Sequence, residues 1–261
     1  MMGAAAAVVV GAAVQALPTV LTCGAVRRRL CPRLSGRGPV TRLALTFDDG
    51  PDRASTPHFL RLLEREQVSA TFFLLGVMLD RDPGLGREVA AAGHEVAVHG
   101  WEHRNLLGRS PAATYTDIAR ARDRVAAVAG VAPVWYRPPY GVLTTAALVA
   151  CRRLELTPRL WTAWGRDWEA TRPTESIWRT LVKDLDGGGT VLLHDCDHAS
   201  TPGAWRGALA VLPRLITWAS ERDVTIGTLG AHQVPDASRQ RRRDGPRVDA
   251  SIGRNGGGRS G

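Results

Sequence analysis

Asp48 and Asp49 close an apolar run, Leu43-Ala44-Leu45-Thr46-Phe47, and are followed at once by Gly50-Pro51. The run reads as a buried strand and the Gly-Pro pair as the turn that ends it. Two adjacent carboxylates at a strand tip repel each other, so a compensating cation or proton is needed to keep both there. Further along, His99-Gly100-Trp101-Glu102-His103 supplies the complement. Histidines four apart fall on one helical face, a spacing that metal sites use. A divalent ion bound by Asp49, His99 and His103 would have three protein ligands and an open position, with Asp48 left over as a base. Such an ion lowers the pKa of its water from about 15.7 toward about 7. Hydrolysis of an amide or ester then needs a proton donor, and His194, at the end of the apolar run Val191-Leu192-Leu193, fits that part. Arg137 precedes Pro138-Pro139-Tyr140-Gly141 and can hold a carboxylate bidentately, which would orient Asp48. The backbone N–H of Tyr140, behind two rigid prolines, can face a developing oxyanion. Each piece alone has a bland reading: an acidic turn, a chance histidine pair, a core histidine, a Pro-Pro linker. Together they describe a hydrolytic metal site.

The elements that must position these residues alternate. Strands are expected at 43–47, 70–75, 95–99, 134–137, 159–163, 190–194 and 224–228. Helices are expected near 57–66, 84–92, 111–129, 143–153, 174–184 and 205–221. Repeated strand–helix alternation argues for a parallel sheet with crossover helices, either open and doubly wound or closed as a barrel. Asp48, Asp49, His99, Arg137, Asp167 and His194 all follow strands, and chemistry gathered at the C-terminal strand ends favours a barrel-like α/β arrangement.

The chain has 261 residues, enough for one large α/β domain or two small ones, and a net charge of +9. Residues 1–40 hold five arginines and no acid, and residues 235–261 hold seven arginines and three aspartates. The region between is neutral, so the basic character belongs to the ends, and no nucleic-acid partner is expected for the globular part. From Gly3 to Thr22 the chain is apolar and uncharged. That stretch suits a signal, a membrane anchor or a packed helix, and with it a membrane-associated or exported protein. No basic residue precedes it and Arg27-Arg28-Arg29 follows, so orientation stays open, the cytoplasm included. The expected organisation is an apolar segment with a basic linker at 1–40, a catalytic domain at 41–231 and a basic disordered tail at 232–261. Cys23, Cys31, Cys151 and Cys196 form no CxxC pair. A Cys23–Cys31 disulfide is possible in principle, but idle thiols fit the spacing better, and Cys196 beside His194-Asp195 reads as a bystander.

These segments together resemble the polysaccharide deacetylase family, carbohydrate esterase family four with its NodB homology domain, over about 41–231. The family's first motif matches Thr46-Phe47-Asp48-Asp49-Gly50-Pro51, its second His99 and His103, its third Arg137-Pro138-Pro139-Tyr140, and its fifth Leu192-Leu193-His194. The resemblance implies a distorted, incomplete (β/α) barrel of about seven parallel strands. It implies Asp48 as base, His194 as acid, and zinc or a similar ion on Asp49, His99 and His103. It places Leu192 at an acetyl-methyl pocket and implies an N-acetylated glycan as the substrate. Beside it, Tyr140 is expected to contact the substrate through its backbone N–H, and Trp168, Trp101 and Trp164 are candidates to stack on sugar faces. Two departures stand out. The fourth motif, usually Asp-x-x-Asp-Trp, reads Trp164-Gly165-Arg166-Asp167-Trp168, so the usual partner of the histidine is replaced, and Asp167 or Asp195 must compensate. Gly100 stands where a serine or threonine usually braces the second motif. Two other functions compete: a catalytically silent carbohydrate-binding module on the same fold, and hydrolysis of another non-peptide C–N bond. Intact Asp48 and His194 count against the first, and the intact Asp48, Asp49, His99 and His103 of the first two motifs against the second.

Overall fold

The computed structural model describes residues 11, 13–20, 24–169 and 171–232. Of the expected signal, anchor or packed helix at 3–22, residues 11 and 13–20 are described. They are helical and meet the domain through Thr19 to Leu143 O, Thr145 to Val14 O and Ala146 N to Gln15. The rest of that stretch, the tail beyond 232 and Cys23 fall outside the described residues. No helix among the described residues is long and apolar enough to cross a membrane.

Eight parallel strands form one curled sheet: β1 (Arg42–Asp48), β2 (Thr71–Leu74), β3 (Glu95–Val98), β4 (Trp135–Tyr136), β5 (Thr157–Pro158), β6 (Ala163–Trp164), β7 (Thr190–His194) and β8 (Thr225–Gly227). Their order is β5-β4-β3-β2-β1-β7-β6, with β8 paired to the first half of β1. The architecture is the distorted, incomplete (β/α) barrel that the motifs imply. β1 lies at its centre, buried from Leu43 to Asp48, as expected of a strand that reads as a continuous apolar run. Helices Thr56–Arg65, Pro111–Ala129 and Trp205–Ser220 pack their apolar faces on the sheet through Phe59, Leu63, Ile118, Val125, Val211 and Leu215.

The barrel does not close. β5 and β6 stand at its two edges without pairing, and the expected strand at 159–163 is instead an irregular bridge between them. The reason is that its carbonyls are taken by arginine side chains. Arg137 donates to Arg159 O (3.2 Å) and Leu160 O (3.0 Å), and Arg27 donates to Trp161 O (2.7 Å). Helices Gly24–Leu30 and Gly76–Arg81 are additions to the expected set. The expected helical face for His99 and His103 is also corrected. Residues 99–103 form a bent loop, because Gly100 (φ 91°) and His103 (φ 55°) both leave the helical region.

Candidate active site

The C-terminal rim of the barrel gathers the residues that the sequence singled out. Asp48 ends β1 and is the register partner of His194, the last residue of β7. Asp49 follows with φ 78°, a left-handed conformation that aspartate tolerates better than most residues. Gly50 is needed next, because a Cβ there would lie 2.4 Å from an oxygen of Asp195.

Asp49 Oδ1 is 3.3 Å from His99 Nε2 and 3.4 Å from His103 Nε2, and ligand atoms of the three residues lie within 4.8 Å of one another. These groups fit a divalent ion. Asp49 Oδ1 is buried and accepts no hydrogen bond. His99 donates its Nδ1–H to Arg137 O at 2.9 Å, which fixes the tautomer and leaves the Nε2 lone pair facing Asp49. Burial, and then the neighbouring His99, push the His103 imidazole down to about 4, so it is neutral and able to ligate near pH 7.

Beside this trio, Arg137 is fully buried and donates from one guanidinium nitrogen to Asp48 Oδ1 (2.6 Å) and to Thr46 Oγ1 (2.8 Å). Its guanidinium lies over Phe73, 4.0 Å from the ring centroid. Asp48 keeps its second oxygen toward the metal trio, 3.7 Å from His99 Nε2. A carboxylate held in this way is aimed, as a base requires.

On the opposite side, Asp167 grips His194 twice. Its Oδ2 accepts the His194 backbone N–H at 2.8 Å and its Oδ1 lies 3.1 Å from His194 Nδ1. Burial alone would depress this imidazole, but the charge and hydrogen bond of Asp167 raise it to about 10. Of the two carboxylates left to compensate for Trp164, Asp167 is therefore the one in place. Asp195 turns instead to Thr56 Oγ1, and burial pushes its carboxyl up to about 7. Trp164 packs between Trp161 and Trp168 at centroid distances of 5.4 and 4.8 Å.

Leu192 is buried in β7, the register partner of Thr46 and Trp164. Tyr140 (φ 59°) is well exposed and sets its ring 4.4 Å from that of His103. Trp168 is half-buried at the same rim, whereas Trp101 is packed inside against helix Gly76–Arg81 and offers no face to a sugar. Cys196 is buried and its thiol is pushed well up by that burial, which removes it as a nucleophile. Sequence reasoning missed Thr46, whose hydroxyl donates to Val191 O (2.6 Å) while accepting from Arg137. The one signal available was a polar residue in an otherwise apolar central strand.

Residues 35–158 match the family model described as polysaccharide deacetylase. The chain is 34% identical over 160 residues to the peptidoglycan-N-acetylglucosamine deacetylase PgdA of Listeria monocytogenes. That match covers 61% of this chain but only 33% of the relative, so the chain spans about a third of that protein's length. It is 33% identical over 198 residues to a chitooligosaccharide deacetylase of a Bradyrhizobium species, covering 75% of this chain and 84% of the relative. Among solved structures, the Bc1960 peptidoglycan N-acetylglucosamine deacetylase superposes with a TM-score of 0.69 at 28% identity, covering 76% of this chain and 91% of that one. Carboxylates and imidazoles so arranged on an unclosed parallel barrel, with relatives matched along most of their length, leave one assignment: the chain belongs to the polysaccharide deacetylase family.

Proposed function

We propose that the chain is a metal-dependent hydrolase that removes acetyl groups, N-acetyl in the first instance, from a carbohydrate polymer or oligomer. The observation that carries this reading is the Asp49/His99/His103 trio, flanked by the Arg137–Asp48 pair on one side and the Asp167–His194 pair on the other. Zinc is the ion we favour for Asp49, His99 and His103, and it would supply Lewis acidity and a water of pKa about 7. Asp48, fixed by Arg137, takes the proton from the attacking water. The Tyr140 N–H steadies the acyl oxygen. His194, held protonated by Asp167, gives its proton to the departing amine. Leu192 lines the pocket for the acetyl methyl group, and Trp168, half-buried at the rim, stacks on a sugar face.

The catalytic unit is residues 41–231. N-acetylglucosamine polymers, on which the named relatives act, are the substrates to try first. A cell-wall substrate would require export, and the apolar residues near the N-terminus provide a segment for that or for membrane contact. A silent binding module has no use for a clamped base or a charged acid, which weighs against it.

The test is acetate release by the full chain from N-acetylglucosamine oligomers and from peptidoglycan, with chelator and zinc add-back, beside Asp48→Asn. Zinc-dependent release that Asp48→Asn abolishes supports the reading. Stoichiometric zinc binding with silence on every glycan would favour the binding module.

A further inference from the structure

The loop carrying His99 and His103 has no helical frame of its own, so its shape depends on what surrounds it. On one side, Gly76 N donates to Gly100 O and Val77 N donates to Trp101 O, both at 3.0 Å. The Trp101 ring fills the space above Gly76, where a Cβ would lie 2.2 Å from it. On the other side stands Asp117, in helix Pro111–Ala129, whose Oδ2 accepts the Trp101 N–H at 3.0 Å. Its Oδ1 is 3.7 Å from an Arg109 nitrogen, and Arg120 lays its guanidinium on the Trp101 ring at 3.4 Å. Gly100 makes room for this contact, since a Cβ there would come within 3.1 Å of Asp117 Oδ2.

The two histidines differ in how they are held. His99 is anchored by its own bond to Arg137 O. Among the described residues no hydrogen bond fixes the His103 ring, which packs 4.4 Å from the Tyr140 ring and is carried by loop backbone at φ 55°. Asp117 is largely buried, and that burial pushes its carboxyl above the usual value, so its placement costs the fold something unless the loop needs it.

We propose that Asp117 is a positioning residue for the metal centre: by accepting the Trp101 N–H it sets the loop conformation that brings His103 to Asp49. The proposal rests on the metal-binding reading given above. Supporting groups of this kind typically change metal affinity by about 10- to 100-fold when removed.

The test uses the full chain. Zinc affinity is measured by competition with a chromophoric chelator, the visible spectrum is recorded with cobalt at the site, and urea stability is measured on the metal-free protein. Asp117→Ala should weaken zinc binding about 10- to 100-fold and alter the cobalt spectrum. Asp117→Asn, which keeps an acceptor oxygen, should restore both. Gly100→Ala crowds the same contact, and strains the loop at φ 91° besides, while leaving the carboxylate in place, and should weaken zinc even if Asp117→Ala fails to fold. Wild-type affinity in Asp117→Ala or in Gly100→Ala would overturn the proposal, as would an Asp117→Asn variant no better than Asp117→Ala. A wild-type chain that binds no zinc would fail the metal reading itself, and the proposal with it.

Discussion

Replacing Arg137 with methionine removes a fully buried cation and leaves the Asp48 carboxyl 3% exposed and without its partner. Breaking a buried ion pair from one side costs about 3–5 kcal/mol, because the remaining charge is stranded. The carbonyls of Arg159 and Leu160 lose a donor as well, at about 1–3 kcal/mol each where water cannot replace it. Some relaxation will offset these terms, so the expected loss is about 4 kcal/mol or more, a large share of the roughly 5–15 kcal/mol that holds a domain folded. Asp48→Asn in the same background removes the stranded charge. The two substitutions should therefore be non-additive, with a coupling energy of about 1.5–3 kcal/mol. The assay is equilibrium urea unfolding of the four proteins in chelator, followed by tryptophan fluorescence, with the denaturant slope checked for constancy. Arg137→Lys keeps the charge but not the fork of donors, and should fall between the two. A loss below about 1 kcal/mol for Arg137→Met, or additivity within about 0.5 kcal/mol, would refute the idea that this pair is a buried, mutually dependent unit.

Asp49→Asn and His103→Ala should each take bound zinc from one equivalent to near none by elemental analysis, while Asp48→Asn keeps it. Stoichiometric zinc in Asp49→Asn would remove that residue from the ligand set. Because Asp167 holds the His194 imidazole up to about 10, Asp167→Asn should lower it and move the alkaline limb of kcat/KM to lower pH. A limb that stays put would assign the proton donor elsewhere. Burial depresses His94 to about 4 from an ordinary value of 6.5, so the unfolded chain binds the extra proton between those values. Its stabilising effect is complete above about pH 6.5 and is lost as the pH falls toward 4, at no more than about 1.4 kcal/mol per pH unit. Thermal unfolding at stepped pH should thus show a shallower acid loss for His94→Gln, and equal slopes would exonerate His94.

What the sequence revealed and what it hid have separate physical causes. Helix Pro111–Ala129 has the bounds expected of it because its signals are local: Ser110 caps Ala113 N, Pro111 opens the first turn, and Gly130 ends it at φ 72°. Strands β1 and β7 were legible because Leu43–Phe47, broken only by Thr46, and Val191–Leu193 are apolar runs that end at a polar residue. Helix Gly76–Arg81 was not, since it is short, begins with glycine and has no side-chain cap. Histidines at 99 and 103 imitate a helical pair, and the backbone angles at Gly100 and His103 tell the loop from the helix. The replacement of the fourth-motif aspartate by Trp164 left the partner of His194 undecided, because Asp167 and Asp195 flank it in different directions. Tertiary placement, not spacing, selects Asp167.

The unclosed edge of the barrel ties activity to local opening. Where a ladder would normally join neighbouring strands, two carbonyls between β5 and β6 hang on the same guanidinium that aims Asp48. Backbone held by side-chain donors at a sheet edge belongs to the low-stability end of a molecule's opening spectrum. If 159–162 lifts away, Arg137 is freed and the base loses its aim, although the packed layers of β1, β2 and β7 remain intact. Catalysis would then fade at denaturant concentrations below the global transition. Amide exchange along that bridge, whose Arg159, Leu160 and Thr162 N–H groups donate to Tyr136, Leu34 and Thr190, would outpace that of β1, β2 and β7, and the seam would act as a fuse that silences the site before the fold itself gives way.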